Sequence, residues 1–451
     1  MTNNEDTIKS NVADRTGTDD HVSEHHENLR KYNINQRAAM LTIILSIFVD
    51  MLGFTMVLPL LPLIGKDLGA NEIQLGFLIA SNAFTSLIFG PIWGKLSDKH
   101  GRKSILLISQ VGTIGAFILL GISPNLELIF VARILDGIFG GQLPIIRAYI
   151  TDITTPRTRP TEVAKIQAVA AFSLIIGPLI GGFLGAIDWR IPSFVAAGLG
   201  VITVLLTTFK LIESMPAERR TAIQSQRNAK SGKEKEKPGI LNRGVILRLS
   251  QTFIINFVTM MFTSSLAIII ADRYGKGPID NGLIIAFFGV FIIVYAGFLM
   301  KPIKNRIGER RSLLVPFIFL IPALLLFPII DQFWMLYLFI VPFGYARTTM
   351  SPLITANLTK AVDPDQQGHV SGWSTTMQSI AQTFAPIVTT GFLQLATDNM
   401  ISVGASYWLI GLTAVFLTVV LLGIIALDLK YHPDLYVYEE NRGKKKDPFM
   451  L

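Results

Sequence analysis

Long apolar runs, broken by short polar segments, dominate the chain. A membrane-spanning helix needs about 20 mostly apolar residues. Twelve stretches meet that length: 38–64, 73–93, 104–122, 127–151, 166–187, 191–209, 249–270, 281–300, 312–330, 333–357, 371–395 and 407–427. The pattern predicts an all-α membrane protein with twelve transmembrane helices in two pseudo-symmetric six-helix bundles, at 38–209 and 249–427. The linker 210–248 contains KSGKEKEKPG, a composition suited to a flexible tether. Residues 1–37 and 428–451 are polar tails; the first lacks the basic-then-apolar order of a signal peptide and reads as disordered.

Polarity is unevenly shared among the spans. The first, fourth, seventh and tenth carry Asp50, Arg133, Asp136, Gln142, Arg147, Asn256, Arg347 and Asn357. The third, sixth, ninth and twelfth are nearly free of strongly polar groups, Gln110 being the main exception, and can face lipid. This period of three predicts a central aqueous cavity, because polar groups in a membrane face an interior. The first span has the stripe Thr42, Ser46, Asp50, Gly53; the eleventh has Ser371, Thr375, Gln378, Gln382. At about 100° per residue of a continuous helix, Arg133, Asp136, Gly137, Gly140, Pro144 and Arg147 share one face of the fourth span. The halves also look duplicated. A shift of 208 residues places Pro144, Ile146, Ala148 and Thr151 on Pro352, Ile354, Ala356 and Thr359, and Pro178 on Pro386. Such duplication is common in secondary transporters.

Composition agrees with a bilayer as solvent. Of 451 residues, 50% are hydrophobic and 16% charged, against about 25% charged in soluble domains. The net charge of +8 could suggest nucleic acid, but its placement argues otherwise. Between-span segments on one side hold 33 of the 40 Lys and Arg, and those on the other hold four. The positive-inside rule then puts both tails in the cytoplasm of a multi-pass cell-membrane protein. There is no cysteine, so disulfides and thiol chemistry are excluded. The six histidines fall outside the spans, with no metal cluster, catalytic triad or nucleotide-binding loop. We expect no enzyme activity, no metal or cofactor, and no nucleic-acid partner; the partners are small molecules, protons and lipid, and the chain is expected to act as a monomer.

Residues 94–103, GKLSDKHGRK, follow the second span on the basic side. They resemble the signature loop of the major facilitator superfamily, with Gly94, Asp98, Lys99, Gly101, Arg102 and Lys103 matching. RILDGIFGG at 133–141 is similar to the family's fourth-helix motif, with Asp136 a departure; GPLIGG at 177–182 is similar to its fifth-helix antiporter motif. VDPDQQGHVSG (362–372) looks like the usual approach to its eleventh helix. FVDMLGFTMVLPLLP (48–62) and AYITDIT (148–154) sharpen the likeness to tetracycline-efflux-type members of the drug:proton antiporter group. Arg147 departs from those exporters, which commonly have a small residue there.

The resemblance implies proton-coupled exchange by alternating access. It assigns conformational gating to Gly94, Asp98, Gly101, Arg102, Asp152, Gly177, Pro178 and Gly181. Asp98 would meet the start of the eleventh helix, and Arg102 would pair with Asp152. Asp50, Arg133 and Asp136 are the candidate proton-coupling groups. Arg133 and Asp136 either form a permanent structural pair or part once per cycle. Arg147, Arg347, Asn256, Gln142, Gln378 and Gln382 are candidate substrate-binding residues. The arginines would suit an anionic substrate group, or would pair with backbone carbonyls at helix breaks such as Pro342 and Pro352. The leading expectation is export of amphiphilic drugs or similar solutes. The alternatives are a proton- or anion-coupled transporter of a specific anionic metabolite or lipid, and a non-transporting membrane sensor or scaffold.

Overall fold

The computed structural model describes residues 30–31, 35–155, 158–221, 225, 242–363 and 366–432. Most of the N-tail, of the linker after 221 and of the C-tail lies outside these residues, as do positions 364–365 of the approach to the eleventh helix. Within them the chain forms twelve long helical rods. They are α1 Gln36–Asp67, α2 Glu72–His100, α3 Arg102–Ile122, α4 Leu126–Ile153, α5 Arg159–Ile187, α6 Ile191–Lys210, α7 Arg243–Tyr274, α8 Pro278–Ile307, α9 Glu309–Ile329, α10 Met335–Lys360, α11 Gln367–Thr397 and α12 Val403–Tyr431. Ten are long and apolar enough to cross a membrane. The other two are α10 and α11, whose arginine, glutamines and hydroxyls lower their hydropathy and which carry several of the expected substrate-binding residues.

Local chemistry sets where the rods begin. Asn71 caps α2 through the Gln74 amide and receives the Gln74 side chain in return. Asn125, Asn242 and Ser402 cap α4, α7 and α12 in the same simple way. Gly101 and Gly308 stand before α3 and α9 at φ 100° and 80°, where a side chain would be strained. These two cap glycines lie at equivalent points of the two halves, as the duplication requires.

Several helices run past the hydropathy reading, α2 to His100, α5 from Arg159 and α8 to Ile307 among them. Two of these extensions form one contact: α7 begins at Arg243, not 249, and α12 runs to Tyr431, beyond 427. The extensions bury Arg248 and Asp428, both 0% exposed, as an ion pair of 2.9 Å between α7 and α12. Gln251 donates to the other Asp428 oxygen at 3.3 Å, and His432 lies 3.0 Å from the carboxylate.

The fourth span is not one continuous helix. It breaks at Gly140–Gln142 into Leu126–Phe139 and Leu143–Ile153, which corrects the single face drawn from Arg133 to Arg147. Gly140, Gly141 and the Pro144 that follows supply the local cause. Neighbouring side chains take the freed carbonyls: Ser86 donates to Gly137 O at 3.0 Å, Trp93 to Ile138 O at 2.5 Å, and Ser109 to Phe139 O. A broken helix is tolerated at membrane depth when protein groups satisfy its backbone in this way.

Candidate functional site

The two bundles meet most closely at the end opposite the chain termini. There α5 crosses α8 and α2 crosses α11 with glycine between backbones. A Cβ on Gly282 would lie 2.4 Å from Pro178 O, one on Gly182 2.7 Å from Pro278 O, and one on Gly76 2.0 Å from Thr390 Oγ1. Lys66 joins Asp272 at 2.6 Å, Gln394 accepts from the Glu72 amide at 2.9 Å, and Asn281 donates to Pro59 O at 2.9 Å. At the termini end, the one hydrogen bond between bundles among the described residues is a long one, Arg147 to Thr375 at 3.4 Å. Gly368 and Gly372 of α11 have open space where a Cβ would be. The protein is thus sealed at the far end and parted at the termini end.

Leucine at Gly282 is expected to spread the sealed end, since overpacking costs about 1–3 kcal/mol, a shift between states of about 5- to 150-fold. The check is a single cysteine placed at Ile269, read with a membrane-impermeant thiol reagent on a chain that has no cysteine of its own. Labelling should speed up in the variant, and an unchanged rate would count against the seam as the seal of the far end.

Under the seal lies a cavity of about 260 Å³. Its polar lining is Thr55, Asn82, Arg133, Thr259, Thr263, Ser264, Asn281, Arg347 and Gln382, and among the described residues no carboxylate lines it. The second bundle supplies an aromatic wall. Phe262 stands 4.8 Å from Phe327, 5.4 Å from Phe339 and 5.5 Å from Phe343, between ring centres. Such edge and tilted contacts fix the rings against one another.

Arg133 and Asp136 are both buried and pair at 2.5 Å. Asn82 of α2 donates to the same Asp136 oxygen at 2.9 Å. The remaining Arg133 donors, Nε and Nη2, have no partner, and its guanidinium stands 5.9 Å from the Phe54 ring. Gly137 lets α4 approach α2, where a Cβ would lie 2.5 Å from Asn82 O. Arg347 half-emerges into the cavity and, among the described residues, makes no hydrogen bond or ion pair. The backbone carbonyls near Pro342 and Pro352 do not hold it.

The other expected residues stand elsewhere. Asp50 is half-buried beside Thr203 of α6, with Oδ2 unpartnered. Its stripe packs on α6, where a Gly53 Cβ would lie 3.2 Å from Ala196, so it does not line the cavity. Buried Ser46 and Thr207 hydroxyls without partners lie along the same two helices. Asn256 is buried and donates to Thr252 O within α7. Gln142 sits buried at the α4 break, and Gln378 is half-buried on α11; neither lines the cavity. Arg147 is exposed toward the parted end. The feature that hydropathy passed over is Asn82, one amide in the apolar run of α2.

The signature loop forms a tight cluster at the termini end. Arg102 bonds Asp98 at 2.5 Å, Asp152 at 3.1 Å and Ser97 Oγ at 2.7 Å. Asp98 therefore turns to Arg102; it makes no bond to α11 among the described residues, since the bundles are apart there. Glu213, after α6, accepts from the Arg102 and Lys103 amides at 2.8 and 3.0 Å, capping α3. It sits where a Gly101 Cβ would come within 2.6 Å. Gly94 faces Pro144 of the inner α4 segment, and its hypothetical Cβ would lie 3.5 Å away. In the fifth-helix motif, Gly177 and Gly181 pack on Thr55 and Met56 of α1, while Pro178 and Gly182 meet α8.

Comparison with known proteins agrees with this architecture. Multidrug resistance protein 2 of Bacillus subtilis strain 168 is 26% identical over 360 residues, covering 79% of this chain and 89% of its own. The class C tetracycline resistance protein of Escherichia coli is 27% identical over 384 residues, covering 83% and 96%. Among solved structures, a bacterial homologue of the human lysosomal transporter Spinster, inward-facing and occupied, superposes with a TM-score of 0.70 at 14% identity, covering 89% of this chain and 98% of its own. The nucleoside transporter NupG superposes at 0.65 with 14% identity, covering 87% and 99%. The family model described as Major Facilitator Superfamily matches residues 43–386 and 249–448. With that match spanning most of a chain of paired six-helix bundles, the protein belongs to the major facilitator superfamily and is a multi-pass membrane transporter, not an enzyme.

Proposed function

We propose that the protein exports amphiphilic solutes in exchange for protons, with both termini in the cytoplasm and one chain as the working unit. The observation that carries this reading is the aromatic-walled cavity, which lies under the sealed far end while the bundles part at the termini end. The cytoplasmic placement rests on the lysine and arginine bias of the segments between spans. The names of the multidrug and tetracycline resistance relatives support export of such solutes.

In the proposed cycle, solute enters from the termini end and rests against the phenylalanine wall. The bundles then rock, closing the signature-loop end and opening the glycine seam. Asp50 carries the proton: among the described residues it has no counter-charge to break, and it lies outside the cavity, so loading it does not evict solute. The Arg133–Asp136 pair is the second coupling element. Protonation of Asp136 would release Arg133, whose two spare donors can take another acceptor.

Proteoliposomes loaded with a fluorescent amphiphile provide the test. In the population whose far end faces outward, acid outside should accelerate efflux, and a protonophore should abolish the acceleration. Flux that ignores both the gradient and the protonophore would overturn proton exchange.

A further inference from the structure

We propose that the cavity selects an aromatic anion, its ring against Phe262, Phe339 and Phe343 and its carboxylate or sulfonate on Arg347, with Arg133 of the opposite bundle completing the anion seat. The inference rests on the transporter reading and names the substrate class of the same cavity.

The two guanidinium groups come from different bundles, α4 and α10, and line one space that, among the described residues, no Asp, Glu or Lys side chain lines. Arg133 is 1% exposed and keeps Nε and Nη2 unpartnered while Asp136 holds Nη1. Its charge is thus balanced, yet its hydrogen-bonding capacity is not. Arg347 has neither counter-charge nor acceptor among the described residues. An uncompensated guanidinium at membrane depth is costly and marks a place where an anion is wanted. Its planar fork binds carboxylate or sulfonate oxygens in pairs.

The rest of the wall restricts what the anion is attached to. Phe339 and Phe343 precede Arg347 by two turns and one turn of α10, and Phe262 meets both from α7. A flat ring can stack along this face while its anionic substituent reaches Arg347. An organic cation would meet the same rings but also two arginines and no acid. The seat also bridges the bundles, so an anion held by both arginines ties solute occupancy to their approach.

The test compares three probes with one ring system: 2-naphthoate, 2-naphthylmethanol and 2-naphthylmethylammonium. Binding is measured by equilibrium dialysis on full-length protein in nanodiscs at pH 7.4. The wild type should bind 2-naphthoate at least about ten-fold more tightly than either other probe, about 1.4 kcal/mol. Arg347→Gln should erase that preference while changing 2-naphthylmethanol little, and Arg347→Lys should keep an intermediate preference. Phe343→Ala should weaken all three together. Thermal unfolding of each variant separates lost binding from lost folding. If Arg347→Gln does not fold, the Arg347→Lys intermediate and the wild-type ranking carry the decision. The proposal is overturned if the ammonium probe binds as tightly as the naphthoate, if Arg347→Gln weakens all three equally, or if the wild type binds none of them. Gradient-driven flux of a cationic amphiphile alongside any of those results would leave proton exchange standing and remove only the anion selectivity.

Discussion

Asp50→Asn is expected to lower gradient-driven flux by at least about ten-fold, 1.4 kcal/mol in the coupled step, while solute counterflow across the same vesicles continues. The expectation follows from where the carboxylate sits. Asp50 faces Thr203 on α6, and its Oδ2 has no partner. No cation pairs with it among the described residues. A proton can therefore join or leave without breaking a salt bridge. Asparagine keeps the size and the hydrogen-bonding oxygen but has no proton to exchange. Because Asp50 lies outside the cavity lining, solute binding should change little. If the variant responds to the gradient as the parent does, Asp50 is not the carrier and the role passes to Asp136. Asp136→Asn should behave differently, since it leaves the buried Arg133 without its counter-charge and threatens folding as well as coupling.

The second large effect concerns stability. Arg248→Met should cost about 3–5 kcal/mol, because it takes the guanidinium counter-charge from the fully buried Asp428 carboxylate, which keeps Gln251 at 3.3 Å and His432 at 3.0 Å. The double variant Arg248→Met with Asp428→Leu should recover most of that loss, since an apolar pair of similar volume removes the desolvation problem at both ends. Thermal unfolding in detergent, followed for the parent and the two variants, gives the comparison. If the double variant is no better than Arg248→Met alone, then Gln251, His432 and the Gly244 carbonyl, which Arg248 also reaches at 3.2 Å, depend on the pair more than this account allows.

The sequence was legible wherever the physics is local or periodic. Apolar runs located the helices, and the glycine and charge spacing of 94–103 located the signature loop, with Arg102 meeting Asp152 as the resemblance implied. It was less legible where partners come from distant positions. Arg248 reads as the end of a basic linker and Asp428 as the start of a tail, because a hydropathy window stops at a charge. Only the packing of α7 on α12 turns two boundary residues into an interior pair. The surroundings of Asp50 were not legible for another reason. A polar residue on a polar-striped helix was assigned to the cavity, yet the stripe faces α6, where small residues and hydroxyls receive it. Helix 4 failed because a continuous helix was drawn through Gly140–Gly141, although two glycines ahead of a proline are a breaking signal. Arg133 and Arg347 did reach one cavity, while Arg147, beyond the break, did not.

The break gives α4 the mechanics of a jointed rod. Its outer piece, carrying Arg133 and Asp136, is pinned at its carbonyl end by Ser86, Trp93 and Ser109. Its inner piece is only 11 residues long and carries Asp152, the anchor for the signature loop, near its tip. A rigid helix would convert any tilt at the loop into a displacement of the arginine deep inside. In the proposed cycle, a jointed one would let the loop engage and release while Arg133 stays seated, so the proposed solute site and the gate at the termini end would respond to separate substitutions on the same helix.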